Sequence, residues 1–516
     1  MISTYQMLQG EHWWGGSSDD GNAEPFDCTS VHHADYRLAA SNQTMPLYVS
    51  DCGRYLWSEN AFAVTIENGC FTFDGAEVVL VEAGGTLREA YLHAMQNHFP
   101  FSQKKLPERF FRVPQYNTWM QFTYEPTQQK VLQYAHELIE HGFEPGILTI
   151  DEGWHGRYGV WEFDKAKFPN PRAMVDELHA LGFTVMLWVV PYICPDGQEF
   201  LRMTAPFYCK NEKHFLRNEK GEYALIHWWN GYSAILDMTN PADCENLHKR
   251  LRHLMQDYGV DGFKFDGGDV ESYSEAALVN GPMQTRHTPG ALNLAWNEFG
   301  MQYDFHEFKD TWKGGGKAVI QRLRDRCHTW KGNGLDSLIP AALVCSMIGH
   351  PYLCPDMVGG GEWLYRDFYS DRLDEELFVR MAQASALFPM MQFSWAPWEA
   401  LNAEYANLVL ETAKLHRRMG EELVSLLENA RLTGEPVLRP LEYNDPKQEF
   451  AEIKDEFMLG TDILVAPVLE KGQRARRVAF PQGVWQEQNS GKIFMGRTRD
   501  IVEAPLSVLP WFRRIK

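Results

Sequence analysis

From about residue 111 to residue 421 the chain repeats one pattern. A short apolar, β-branched run is followed by a turn and then by a longer stretch with apolar residues three and four apart. The first is the signature of a buried strand, the second of an amphipathic helix. Strands are expected ending near 116–119 and over 146–151, 183–191 and 261–266, with 318–325 as the fifth, 352–356 as the sixth and 389–393 as the seventh. Helices are expected between them. One is capped by Thr127, carries Val131, Leu132, Ala135, Leu138 and Ile139 on one face, and stops at Gly142. Others cover 174–181, 247–258, 338–348, 375–387 and 401–419. Alternation of this length predicts a parallel sheet wrapped by helices, the α/β class, closed as a (β/α)₈ TIM barrel.

The flanks read differently. Thr65 to Gly75 holds two short strands around Asn68-Gly69, a hairpin signal, and 77–82 is another strand ended by Ala83-Gly84-Gly85. Residues 457–467 and 477–481 are strands again. The expected division is an N-terminal β-sandwich over 1–110, the barrel over 111–421 and a C-terminal β-domain over 422–516. The double tryptophan of Gly10-Glu11-His12-Trp13-Trp14-Gly15-Gly16 reads equally as a ligand contact or as a packed domain junction.

A formal charge of −20 repels phosphate backbones, so nucleic acid is not an expected partner. Nine cysteines without a C-x-x-C pair read as reduced thiols. No apolar run approaches the ~18 residues that span a bilayer, so no membrane contact is expected. Met1-Ile2-Ser3-Thr4-Tyr5-Gln6 has neither a basic nor an apolar leader region, and a cytoplasmic location is the simplest expectation. The 17 tryptophans suit sugar stacking, and equally the packing of a large barrel. The composition leaves a homo-oligomer open.

Four expected strands end on carboxylates: Asp151, Asp266, Asp325 and Asp356. In the strand before Asp266, alternation puts Lys264 and Asp266 on one face and Phe263 and Phe265 on the other. The rings would pack outward on helices, and the lysine and aspartate would point inward at the barrel's carboxyl end. Converging carboxylates allow one to stay ionised while another holds a proton, which glycosidic cleavage requires.

Beyond this reading, the chain resembles glycoside hydrolase family 31 over most of its length. The resemblance rests on Phe263-Lys264-Phe265-Asp266-Gly267-Gly268-Asp269, on Asp325 with Trp330 five residues on, and on Gly334-Leu335 and Leu338-Ile339-Pro340. Gly349-His350-Pro351-Tyr352, Pro355-Asp356-Met357-Val358-Gly359-Gly360 and Ile150-Asp151-Glu152-Gly153-Trp154 carry it further. It implies a retaining, exo-acting α-glycosidase with Asp266 as nucleophile and Asp325 as general acid/base, acting on a small carbohydrate with no cofactor and no metal. Asp151, Trp154, Trp188, Lys264, Asp269, Trp330, Asp356 and Gln392 become the candidate substrate-binding residues. Burial near Trp330 and the charge of Asp266 are expected to raise the pKa of Asp325.

Two departures from the family pattern bear on specificity. Asp269 stands where the family usually has Glu, and Gln392 and Ser394 stand where its α-glucosidases have Arg and His. The Lys-Phe-Asp and Met-Gln-Phe-Ser segments resemble a subgroup acting on α-galactosides, which favours that substrate over an α-glucoside. Readings from other classes are a Schiff-base aldolase on Lys264, a Mg²⁺ enzyme on Asp266, Asp269, His350 and Asp356, and an inactive sugar-binding protein. His179 and His350 read as structural.

Overall fold

A computed structural model of the chain describes residues 1–39, 42–205, 207, 214–218, 220–275, 279–280, 287–362 and 373–516. Its centre is a parallel sheet of β1 (Gln115–Asn117), β2 (Ile147–Ile150), β3 (Thr184–Val189), β4 (Gly262–Phe265), β5 (Phe305–Phe308), β6 (Gln321–Arg322), β7 (Leu353–Cys354, continued by Met357–Val358) and β8 (Gln392–Phe393). The first half of β7 pairs with β6 and its second half pairs with β8, which returns to β1. The sheet therefore closes, and the seam lies at the bend Pro355-Asp356.

Strand alternation places the rings as the sequence implies. Phe263 and Phe265 face outward into Phe299, Tyr303 and Phe308, with Trp296 against Phe265. Trp296 and Phe299 belong to helix Pro289–Gly300, which is begun by Thr288 accepting from Ala291 N–H with Pro289 at its first position. Helix Gln128–Glu140 is capped by Thr127 as expected and buries Val131, Tyr134, Ala135 and Leu138.

The strand count differs from expectation in one place. Phe305–Phe308 is the fifth strand, so the expected fifth, sixth and seventh become β6, β7 and β8. Phe-His-Glu-Phe carries two polar residues in four, yet both are buried: Glu307 points into the closed barrel toward Gln392 and Arg322, and His306 lies on the outer face with Phe308, where Nδ1 donates to Tyr303 O and Nε2 accepts from Ile320 N–H. Helix Ala403–Thr433 runs without interruption past residue 421, where a boundary was expected, and ends on left-handed Gly434.

Two antiparallel sheets precede the barrel and enclose Trp13, Tyr48, Phe62, Phe71 and Phe73. The expected hairpin is present, Ala63–Glu67 with Cys70–Asp74 around Asn68-Gly69, both at positive φ. A strand following β5, Thr311–Trp312, adds in parallel to Gln43–Ser50 of this sandwich. The double tryptophan is a junction: Trp13 enters the sandwich core, and Trp14 enters the core shared with the barrel. A sheet containing Phe457–Leu459, Ile463–Val465 and Trp511–Arg514 closes the chain.

Candidate active site

The carboxyl ends of β2, β3 and β4 build one wall. Asp151 follows β2, and its Oδ2 accepts from Lys264 Nζ and Asn117 Nδ2, each at 2.7 Å. Lys264 thus pairs with Asp151 across the barrel interior rather than with Asp266 on its own strand. Asp266 follows β4, and Trp188 Nε1 from β3 donates to its Oδ2 at 2.9 Å. Gly267 N–H donates to its Oδ1 at 3.0 Å. Burial alone would raise the pKa of Asp266, but the charges of Lys309 and Lys264 and the indole hydrogen bond outweigh it and hold the group at about 2.

The opposite wall comes from β5, β6 and β7. Lys309, just past β5, reaches both candidate catalytic groups: its Nζ lies 3.7 Å from Asp266 Oδ1 and 3.0 Å from Asp325 Oδ2. Those two oxygens are therefore no farther apart than the sum, about 6.7 Å. Arg322 at the end of β6 donates from Nη1 to Asp325 Oδ1 at 2.7 Å and to Asp356 Oδ1 at 2.5 Å. Beneath, Gln392 Nε2 donates to Glu307 Oε2 at 2.9 Å, and Arg322 Nε lies 3.6 Å from Glu307 Oε1.

The charge state of Asp325 reverses expectation. Burial does push its pKa up, but Lys309, Arg322 and Lys264 pull it well below the ordinary carboxylate range. Trp330 is not the neighbour that sets it, for its indole donates to Asp374 at 2.9 Å. The missed cation is Lys309, which the sequence hides just past the end of the strand that was not recognised.

Asp266, Asp325 and Asp269 line one cavity of about 190 Å³, together with Trp229, Lys309 and Arg324. Asp269 Oδ1 also accepts from Ser272 N–H at 2.8 Å, beginning the short helix that follows. Trp188 is 1% exposed and reaches the site through its N–H. Trp154 stands a layer behind, fully buried, donating to Trp188 O at 2.9 Å. Gln392 and Asp356 are buried below the cavity floor. Ser394 accepts from Met120 N–H at 2.7 Å. His350 is buried away from the four carboxylates' contacts, and among the described residues no cluster of His, Cys, Asp or Glu could hold a metal ion.

Two further residues were readable only in part. Leu225–Trp228 and Gly231–Ile235 form a hairpin whose turn, Trp229-Asn230, overhangs the cavity. The Trp-Trp-Asn-Gly run is an ordinary turn signal; its destination is tertiary. Trp229 Nε1 donates to Glu152 Oε2 at 3.0 Å, and Tyr158 OH and Asn230 Nδ2 also bond that carboxyl. Burial and the charges of Asp151 and Asp266 raise the pKa of Glu152 to about 8 despite these donors.

The chain is similar to known proteins in family and in fold. A profile of the "Glycosyl hydrolases family 31 TIM-barrel domain" matches residues 113–419, and one of the family's C-terminal domain matches 434–515. The chain is 32% identical over 421 residues to the myogenesis-regulating glycosidase of Mus musculus, covering 80% of this chain and 57% of that protein. It is 24% identical over 420 residues to alpha-glucosidase 2 of Bacillus thermoamyloliquefaciens, covering 76% and 51%. The chain thus spans little more than half the length of these relatives. In fold it is similar to a family 31 dextranase of Flavobacterium johnsoniae complexed with glucose, with a TM-score of 0.83 at 18% identity, covering 99% of this chain and 66% of that one. No helix among the described residues is long and apolar enough to cross a membrane.

Proposed function

Because this chain belongs to glycoside hydrolase family 31, we propose that it is a retaining, exo-acting α-glycosidase that releases a terminal α-linked hexose by double displacement. The observation that carries the reading is Lys309, whose one ammonium group bridges Asp266 and Asp325 in a single cavity. An upper bound of about 6.7 Å between those oxygens is compatible with the roughly 5–5.5 Å separation of a retaining pair.

In this reading Asp266, ionised and aimed by Trp188, attacks the anomeric carbon. Asp325 protonates the departing glycosidic oxygen, then takes a proton from the water that releases the sugar. Asp151, Lys264 and Asp269 supply polar contacts to hydroxyls, and Trp229 offers an apolar face. A cavity of about 190 Å³ lies below the usual range for ligand sites and suits one sugar ring held at a chain end. The resemblance of the Lys-Phe-Asp and Met-Gln-Phe-Ser segments to α-galactoside-acting members makes an α-galactoside the proposed substrate. The three-part division of the chain and a cytoplasmic site of action belong to the same proposal.

A panel of aryl α- and β-hexosides, with the anomer of the released sugar followed by NMR, tests all of this. The expected result is release from aryl α-galactoside with α-galactose formed first. Release of β-galactose first would overturn retention, and turnover confined to α-glucosides would overturn the sugar.

A further inference from the structure

Gln43 opens the strand Gln43–Ser50 of the N-terminal sheets, yet its side chain ends in the barrel. Residues 42–44 run alongside 310–313, just past β5. Thr311 N–H donates to Asn42 O at 3.0 Å, Lys313 N–H to Thr44 O at 2.9 Å, and Asn42 N–H to Asp310 Oδ2 at 2.7 Å. This pairing brings the fully buried Gln43 side chain to the carboxyl ends of β5 and β6. There Nε2 donates to Lys309 O at 2.6 Å and to Arg322 O at 2.9 Å. Carbonyl oxygens only accept, so the amide end between them is the NH₂, with one hydrogen for each. Ser18 Oγ donates to Oε1 at 2.9 Å and holds that orientation.

The two carbonyls differ in what else fixes them. Arg322 lies inside the sheet, paired with Cys354 of β7. Lys309 lies one residue beyond the last pairs of β5, Phe265 with Phe308 and Phe308 with Gln321. The Gln43 amide therefore reaches across where the β5–β6 ladder has stopped, and ties a backbone outside the ladder to one inside it. From the outer backbone hangs the ammonium that lies 3.0 Å from Asp325 Oδ2 and 3.7 Å from Asp266 Oδ1. A lysine stem is flexible, so the place of its charge depends on the place of its root. A drift of about 1 Å is enough to carry the shorter contact past hydrogen-bonding reach. Docking of the N-terminal sheets has other supports, the backbone bonds above and Trp14 in the shared core.

We propose that Gln43 is a positioning residue for the reaction: it ties the backbone of Lys309 to β6 and so sets the lysine ammonium between Asp266 and Asp325. This rests on the reading of Asp266 and Asp325 as the catalytic pair. The N-terminal sheets then serve catalysis through one side chain that touches neither carboxylate. Gln43 carries no charge and does not line the cavity. An effect of its loss on turnover has to travel through the backbone it holds.

The test is a double-mutant cycle in kcat and KM on the aryl α-hexoside that the enzyme turns over best. Gln43→Met matches the length of the side chain and removes the donor. With the fold checked by circular dichroism, kcat should fall about tenfold to hundredfold while KM changes by less than about threefold, since the misplaced charge acts on the reacting groups. In a Lys309→Met background the same substitution should cost less than about threefold, because no ammonium is left to place. Lys309→Gln is the alternative background. An amide with a merely structural role gives equal losses in both backgrounds. Equal losses, a loss confined to KM, or an unchanged kcat in Gln43→Met overturns the proposal. Gln43→Asn, one methylene too short to span both carbonyls, takes the place of Gln43→Met if that variant does not fold. Asp266→Asn separates the layers. If it is inactive and the cycle is additive, only the tether falls; if it keeps its turnover, the catalytic reading falls and the tether with it.

Discussion

The β2–β4 wall and the β6–β7 wall of the barrel hold their carboxylates by different means. On the first, strands of four to six residues keep regular parallel register, and Asp266 is met by an indole N–H, a backbone N–H and a distant lysine. On the second, β6 and each half of β7 are two residues long, the chain is strained at Asp356, and two carboxylates depend on one guanidinium nitrogen. The charges of Lys309 and Lys264, with the indole N–H adding to them, hold Asp266 ionised, as the proposed nucleophile requires. On the second wall Lys309 and Arg322 both bear on Asp325, and Arg322 meets Asp356 as well.

The comparison breaks most visibly at Asp266. Asp266→Asn should lose several orders of magnitude in kcat while circular dichroism shows the fold retained, since the substituted side chain keeps an acceptor for Trp188. If turnover survives, the first wall is not where the nucleophile stands. Next in size, Asp325→Ala should lose about 10²–10⁴-fold on substrates with poor leaving groups and far less on activated ones, with azide restoring the second step and yielding an α-glycosyl azide. Equal losses on both would move the acid elsewhere, with Asp336 the next to test.

The second wall should also be the more fragile. Arg322→Met leaves Asp325, Asp356 and Glu307 without their common cation, and urea unfolding should show a loss of about 3–5 kcal/mol. Trp188→Phe removes one neutral donor from the first wall and should cost about 1–3 kcal/mol or less; a larger loss for Trp188→Phe than for Arg322→Met would invert the comparison. The smallest expected effect is on pH dependence. With its pKa lowered to about 2, ionised Asp266 contributes stability that is fully present above the ordinary carboxylate range near 3.9 and is lost as pH falls toward 2. Asp266→Asn should therefore flatten the thermal midpoint between about pH 4 and pH 2. An unchanged slope would mean that Asp266 is not held ionised in the native state.

Much of the first wall was legible. The strand before Asp266 announces its two faces by alternation, Asp151 ends a plain apolar run, and helix Gln128–Glu140 shows its cap and its stripe. The second wall was legible only at its carboxylates. Glu307 lies on a strand whose polar residues hide the apolar periodicity, Lys309 lies just past the end of that strand, and Arg322 looks like any charge beside Arg324 and Asp325. Trp229 sits on a recognisable turn, but nothing local says that the turn reaches Glu152 more than seventy residues earlier.

The sequence by itself determined the barrel, the flanking β-rich regions and the identity of the carboxylates, because periodicity, caps and turn chemistry act over a few residues. Tertiary structure alone decided which charges meet. Lys264 pairs with Asp151 and not with the aspartate on its own strand, Lys309 joins two walls, and Arg322 is divided between two acids. The reason is that a carboxylate's proton affinity depends on cations within a few ångströms in a low-dielectric interior, and those cations arrive from strands far apart in the chain. Asp325 carries the lesson: its position was plain in the sequence, and the sign of its pKa shift was not.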